Sequence, residues 1–197
     1  MRNGLYRVRT SHILSRRAGT VVGLGRPVRT AAKRGAMPSL KKACESSVDI
    51  DAPVESVWAL VSDVTRQGEW SVECCGAEWL DGATTAATGA RFRGRNKRNA
   101  TRWSRLCEVL EVDAPHRVAW RTVPTRLLPD STRWEFELAS NGHGTTLTER
   151  MQVLHIPGFH DWLFATLLPQ HRDRTPDLQA DLHRIKTSLE AGSETAA

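Results

Sequence analysis

Apolar residues recur with a period of two along most of residues 46–154 and with a period near four beyond 158, interrupted once by a short helical stretch after residue 53. Val48 and Ile50 alternate with polar neighbours and predict a first strand over 46–50. Pro53 suits the first turn of a helix, where its missing N–H has no partner to lose. Val54, Val57, Trp58 and Val61 follow at helical spacing. Asp63 and Thr65 are cap-type residues that restart a helical turn ending at Trp70. A second strand over 72–80 runs to the Asp81-Gly82 turn. The third, over 90–96, turns Phe92 inward and Arg91, Arg93 and Arg95 outward, and 97–102 forms a polar hairpin loop.

The fourth strand, 103–112, has no cleanly apolar face: Trp103, Arg105, Cys107 and Val109 alternate with Ser104, Leu106, Glu108 and Leu110, and the first set, the better candidate for the inner face, would point Arg105 inward. The fifth, 117–123, has no cleanly apolar face, and 124–130 is a longer loop. Trp134, Phe136 and Leu138 alternate with Arg133, Glu135 and Glu137 in the sixth strand. Residues 141–144 are a hairpin turn rich in residues that tolerate positive φ. The seventh strand, 145–154, sets Leu147, Glu149, Met151 and Val153 on one face. After Pro157-Gly158 two helical stripes follow: Phe159, Trp162, Leu163, Thr166 and Leu167, then Leu178, Leu182, Ile185 and Leu189. Pro169 and Pro176 predict a broken rod, and Gly192 a stop.

Several stretches carry a resemblance: APxxxVWxLVSDVTRxGEW from Ala52, ECxxxxWLDGAT from Glu73, GARFRGRN from Gly89, RWS from Arg102 and TLTER from Thr146. Together they resemble the SRPBCC superfamily, also called START-like or polyketide cyclase/dehydrase and lipid transport, in an actinobacterial-type form. The resemblance spans residues 46–189. It implies an α+β helix-grip fold: a curved antiparallel sheet of six to seven strands wrapped around a long C-terminal helix, two short helices between strands 1 and 2, and a cavity between sheet and helix. On activity it implies less, since the superfamily mixes lipid carriers, cyclases, hydroxylase-type domains, co-chaperone domains and members with no assigned role.

Charge divides the chain. Of its 28 Lys and Arg, eleven fall in residues 1–44 with no acid among them, which leaves 17 bases against 22 acids, a net of −5, for the rest. The high isoelectric point therefore belongs to a basic leader. We read 1–44 as that leader, disordered, 45–191 as a ligand-binding domain and 192–197 as a disordered tail. Arg16-Arg17 is reminiscent of a twin-arginine export signal, but the apolar stretch 19–25 is too short for one. An organelle transit peptide and a nucleic-acid-gripping arm are further readings. The plainest is an extension with Met37 as the true start. No run of 18 apolar residues exists to span a membrane.

Cys44, Cys74, Cys75 and Cys107 form no CxxC pair, and neighbouring cysteines on a strand face opposite ways, so reduced thiols in the cytoplasm and no metal are expected. Gly23-Leu24-Gly25 lacks the third glycine of a dinucleotide loop, and there is neither a P-loop nor GxSxG; no cofactor is expected. The candidate catalytic residue is Glu149, a carboxyl on an apolar face whose pKa burial would raise, with inward Arg105 as its natural partner. His155 or His160 is a weaker candidate base. Seven tryptophans against one tyrosine suit a pocket for an apolar or ring-bearing molecule. The candidate ligand-binding residues are Trp70, Phe92, Trp103, Arg105, Trp134, Phe136, Met151 and Trp162. The expected function is binding of a small hydrophobic molecule (a lipid, a polyketide-like or an aromatic compound) in an internal cavity. The alternatives are a cyclase/dehydratase-type lyase or isomerase using Glu149, and a toxin-like or chaperone-associated interaction module without a ligand. A cavity above about 300 Å³ is the feature that separates the first two from the third.

Overall fold

The computed structural model describes residues 37–194, with side chains to Gly192. Residues 1–36 of the basic leader, with Arg16-Arg17 and Gly23-Leu24-Gly25, lie outside the described residues, as does the tail from 195. Seven antiparallel strands follow: β1 (Ala43–Ile50), β2 (Cys74–Trp79), β3 (Arg91–Arg98), β4 (Thr101–Asp113), β5 (Arg117–Thr122), β6 (Ser131–Ser140) and β7 (Thr145–His155). Their order across the sheet is β1-β7-β6-β5-β4-β3-β2. Between β1 and β2, on opposite edges, run α1 (Val54–Val61), a 3-10 turn (Val64–Arg66) and α2 (Gln67–Trp70). After β7 come α3 (Gly158–Leu167), a second 3-10 turn (Pro169–His171) and α4 (Thr175–Glu194). This is the helix-grip α+β architecture.

Local chemistry explains most boundaries. The Asp63 side chain accepts the Thr65 N–H at 2.9 Å and so starts the 3-10 turn. The rod breaks around Pro169, and Pro176 sits harmlessly in the first turn of α4. Gly144 must be glycine: a Cβ there would lie 2.2 Å from the Ile50 carbonyl oxygen, where the β6–β7 turn meets the end of β1. Three boundaries differ from expectation. β1 starts at Ala43, because it pairs with β7 as far as Gln152. The loop expected at 97–102 is a two-residue turn, since Asn99 takes a φ of 52° and lets Arg98 pair with Thr101. β2 starts at Cys74 and carries a bulge at Cys75.

The larger core packs α1 and the 3-10 turn (Val57, Leu60, Val61, Val64) against Phe92, Phe136, Leu138 and Leu147 of the sheet and Leu182 and Ile185 of α4. A smaller cluster joins Cys44, Met151 and Leu178, and Trp134 packs against both. The stripe Leu178, Leu182, Ile185 is buried as its period requires. The stripe expected on α3 is not. Phe159 is 64% and Leu167 67% exposed, and Ala165 is the buried residue of that helix. α3 is short and turns a different face inward, with Phe164 and then Leu168 reaching the interior.

Candidate functional site

Between the concave face of the sheet and the α3–α4 segment lies a cavity of about 410 Å³. Inner residues of β3 to β7 reach it in turn: Phe92 from β3, Trp103 from β4, Trp120 from β5, Trp134 from β6, Met151 from β7, with Trp70 from the end of α2. Their rings brace one another edge-on. Phe92 meets Trp120 at 6.1 Å and 68°, and Trp70 meets the underlying Phe136 at 5.4 Å and 79°. The wall is therefore broad, apolar and held in place from behind. Leu40 also lines the cavity, fixed by its N–H to Asp161 Oδ1 at 2.9 Å.

One end of this apolar chamber is charged. Arg174 donates to both oxygens of Glu73, at 2.8 and 3.2 Å, lies 2.9 Å from Asp177 Oδ2 through Nε, and stacks its guanidinium 5.6 Å from the Trp134 ring. His171 Nε2 stands 3.0 Å from Glu73 Oε1, and Arg98 holds Asp177 at 3.0 Å. Burial opposes the charge on Glu73, but the His171 and Arg174 contacts overcome it and hold the carboxyl at about 2. Two further acids have no such partners. Glu149 is 3% exposed and its Oε2 has no hydrogen-bond partner among the described residues. Asp181 accepts only the Val72 N–H at 2.6 Å and the Ser71 hydroxyl at 3.4 Å. Burial raises both carboxyls, Asp181 to about 7, and nearby Asp181 raises Glu149 further against the pull of Arg174. Trp70 Nε1 is a second orphan, a donor without an acceptor.

Such an arrangement can hold a flat apolar body, hydrogen-bond it at one end, and exchange a proton with it through a carboxyl whose pKa burial raises. Burial pushes the Cys107 thiol up to about 12, so the cavity offers no thiolate there. Among the described residues no group of three or more His, Cys, Asp or Glu could hold a metal ion.

Residues 42–190 match the family model described as polyketide cyclase / dehydrase and lipid transport. The chain belongs to that family. Among solved structures, a Thermus thermophilus protein superposes with a TM-score of 0.59 at 19% identity, over 77% of this chain and 99% of that one. A polyketide-cyclase-like protein of Corynebacterium glutamicum gives 0.50 at 25% identity, over 78% and 94%. A protein of the dynemicin biosynthetic locus gives 0.51 at 20%, over 77% of this chain and 48% of its own. No curated protein matches.

Within this family member, the structure brings together Glu149, Trp70, Phe92, Trp103, Arg105, Trp134 and Met151 around one space. Phe136 is not part of that lining: it lies fully buried beneath Trp70 and Trp120 as a floor. Trp162 is also absent from it, because it sits two residues and so half a helical turn from Phe164, the side chain through which α3 reaches the cavity, and packs instead on Phe159 at 6.0 Å. Arg105 does point inward, but not to Glu149. Its guanidinium bonds the Asp130 carboxylate and carbonyl, each at 2.8 Å. β4 and β7 are separated by two strands, roughly 14 Å at three sheet spacings, and the loop before β6 supplies the nearer acid. Neither expected histidine lines the cavity: His155 is exposed and His160 lies against Phe159 and Phe164, whereas His171 is on the lining. Arg174, Glu73, Asp177 and Asp181 went unnoticed in the sequence. Their signal was present, since Arg174, Asp177 and Asp181 share the helical face of Leu178, Leu182 and Ile185.

A pH signature follows from the raised Glu149 carboxyl. Both states carry its proton below the unfolded value of 4.5, and folding then loses nothing; as pH rises through 4.5 towards the higher folded value, the unfolded chain ionises first and stability falls. Glu149→Gln removes that loss. Its thermal midpoint is expected to exceed the parent's by at least about 3 °C at pH 8 and to match it at pH 4, read by calorimetry. Equal midpoints at both pH values would mean that Glu149 is ionised and solvated in the folded protein.

Proposed function

We propose that the protein binds a small hydrophobic, ring-bearing molecule in the cavity between the sheet and α4. The observation that carries this reading is the open space of about 410 Å³ walled by Trp70, Trp103, Trp120 and Trp134. Pockets of this size and composition take drug-sized apolar ligands, whereas an interaction module without a ligand calls for a filled interior. The family description, with its lipid transport and polyketide chemistry, supports the same reading. The four free cysteines fit a reducing compartment, consistent with the cytoplasm, and no described helix is long and apolar enough to cross a membrane.

The direct test is native mass spectrometry of the protein purified from its own host, with a mass increment that disappears on denaturation as the expected result. In parallel, Nile red should brighten with the parent protein and fail to do so with Gly94→Leu. Gly94 lines the cavity, and a Cβ there would meet nothing nearer than the Cys74 sulfur at 3.8 Å, so the larger side chain enters the space without straining the sheet. Unchanged Nile red fluorescence in a folded Gly94→Leu protein would count against the cavity as the site.

A second reading is favoured by Glu149: a buried carboxyl with a raised pKa in an apolar chamber can protonate a bound carbonyl compound, as a cyclase or dehydratase requires. Turnover of a polyketide-like substrate that is lost in Glu149→Gln, with binding kept, is its expected result.

A further inference from the structure

The ligand reading leaves open which polar group the charged end of the cavity takes. The charges there are already matched, except for two. Arg105 holds Asp130, Arg98 holds Asp177, Arg174 holds Glu73, and Lys41 holds Asp173 at 3.3 Å. Every described Lys or Arg on the lining thus has an acid of its own. Glu149 and Asp181 remain as two buried carboxyls without a bonded cation, and Glu149 Oε2 has no hydrogen-bond partner among the described residues. An acidic ligand would find no free cation there and would place its own charge beside two acids in an apolar chamber. A neutral one would leave both carboxyls without a charge partner.

We propose that the ligand carries a cationic nitrogen, seated on the Glu149 and Asp181 carboxyls with its apolar body against the tryptophan wall. This rests on the cavity being the ligand site. An ammonium group supplies the positive charge that the pair lacks, and in a low-dielectric site that attraction is far stronger than in water. Its neighbouring carbons lie among Trp70, Trp103 and Trp134, whose faces attract cations; Arg174 already uses the Trp134 face in this way. Proton and ligand then compete for the same oxygens. The charged groups facing Glu149 are Asp181 and Asp177 of α4 and Arg174 just ahead of that helix, with Glu73 before β2, Arg98 of β3 and His171 completing that end. All but Glu149 and Asp181 are committed to one another, so those two are the carboxyls that must give up protons when the cation enters.

The test uses three molecules of one shape, 1-naphthylmethylamine, 1-naphthalenemethanol and 1-naphthoic acid, titrated into the full chain by calorimetry at pH 8 with Nile red as a control for cavity access. The amine is expected to bind at least about tenfold tighter than the alcohol, the acid to be weakest, and the amine's advantage to shrink between pH 8 and pH 5 as the carboxyls keep their protons. Glu149→Gln should cost the amine most of its advantage and bring amine and alcohol within about twofold, and Asp181→Asn serves the same purpose should the first variant not fold. Equal binding of amine and alcohol by the parent, or a preference for the acid, would overturn the cationic ligand while leaving the cavity reading intact if Nile red binds. Failure of Nile red and of all three compounds would sink both.

Discussion

Arg174→Met is expected to lower the unfolding free energy by about 3–5 kcal/mol at pH 7, the cost of removing one partner from a buried ionic cluster. The side chain is 12% exposed and satisfies two acids that are themselves nearly buried, Glu73 and Asp177. Methionine preserves much of the volume and the contact with Trp134, so packing is a minor part of the loss. The pH dependence identifies the cause. Glu73 is held at about 2 against an unfolded value of 4.5, a depressed carboxyl whose contribution is complete above 4.5 and disappears as pH falls through about 2. In the variant the share of that depression due to Arg174 is gone. The gap between parent and variant should therefore narrow in urea melts as pH drops from 7 to 3. A gap that stays constant would assign the loss to packing and leave Glu73 held by His171 alone.

That cluster also shows where sequence reasoning reaches its limit. The strands were legible wherever one face is apolar and the other wet, as along β6, whose Trp134, Phe136 and Leu138 alternate with Arg133, Glu135 and Glu137. Glu149 stood out for the same reason, a carboxyl where the period demanded an apolar residue. Its partner did not. Arg105 was the inward-facing cation expected from the fourth strand's periodicity, yet two strands lie between it and Glu149, and sheet order is not written into any single strand. Arg174 comes from the turn just before α4, and Glu73 from just before β2, so their pairing spans 101 residues and depends on how the closing helix lies across the sheet. The broken rod was visible from Pro169, but the face that α3 turns inward was not. Its stripe of Phe159, Trp162 and Leu167 is apolar, and only packing shows that Phe164 and Ala165 are the residues used.

Phe136→Ala is expected to cost about 3–5 kcal/mol and to weaken Nile red binding by about tenfold or more, because the residue holds the cavity from below. Phe136 is fully buried, edge-on to Trp70 at 5.4 Å and tilted against Trp120 at 5.9 Å. Without its ring, both tryptophans lose the surface that sets their orientation, and the void beneath them joins the chamber above. Tryptophans free to tilt into that void would no longer present a fixed flat wall, so affinity for a ring-bearing compound falls even though the space grows. Phe136→Leu separates the two effects. It restores most of the volume, should cost only about 1–2 kcal/mol, and should keep Nile red binding within a few-fold of the parent. Chemical denaturation and probe titration of the two variants, side by side, decide the matter: if the alanine variant binds the probe as well as the parent, Phe136 is ordinary core and the wall stands without it.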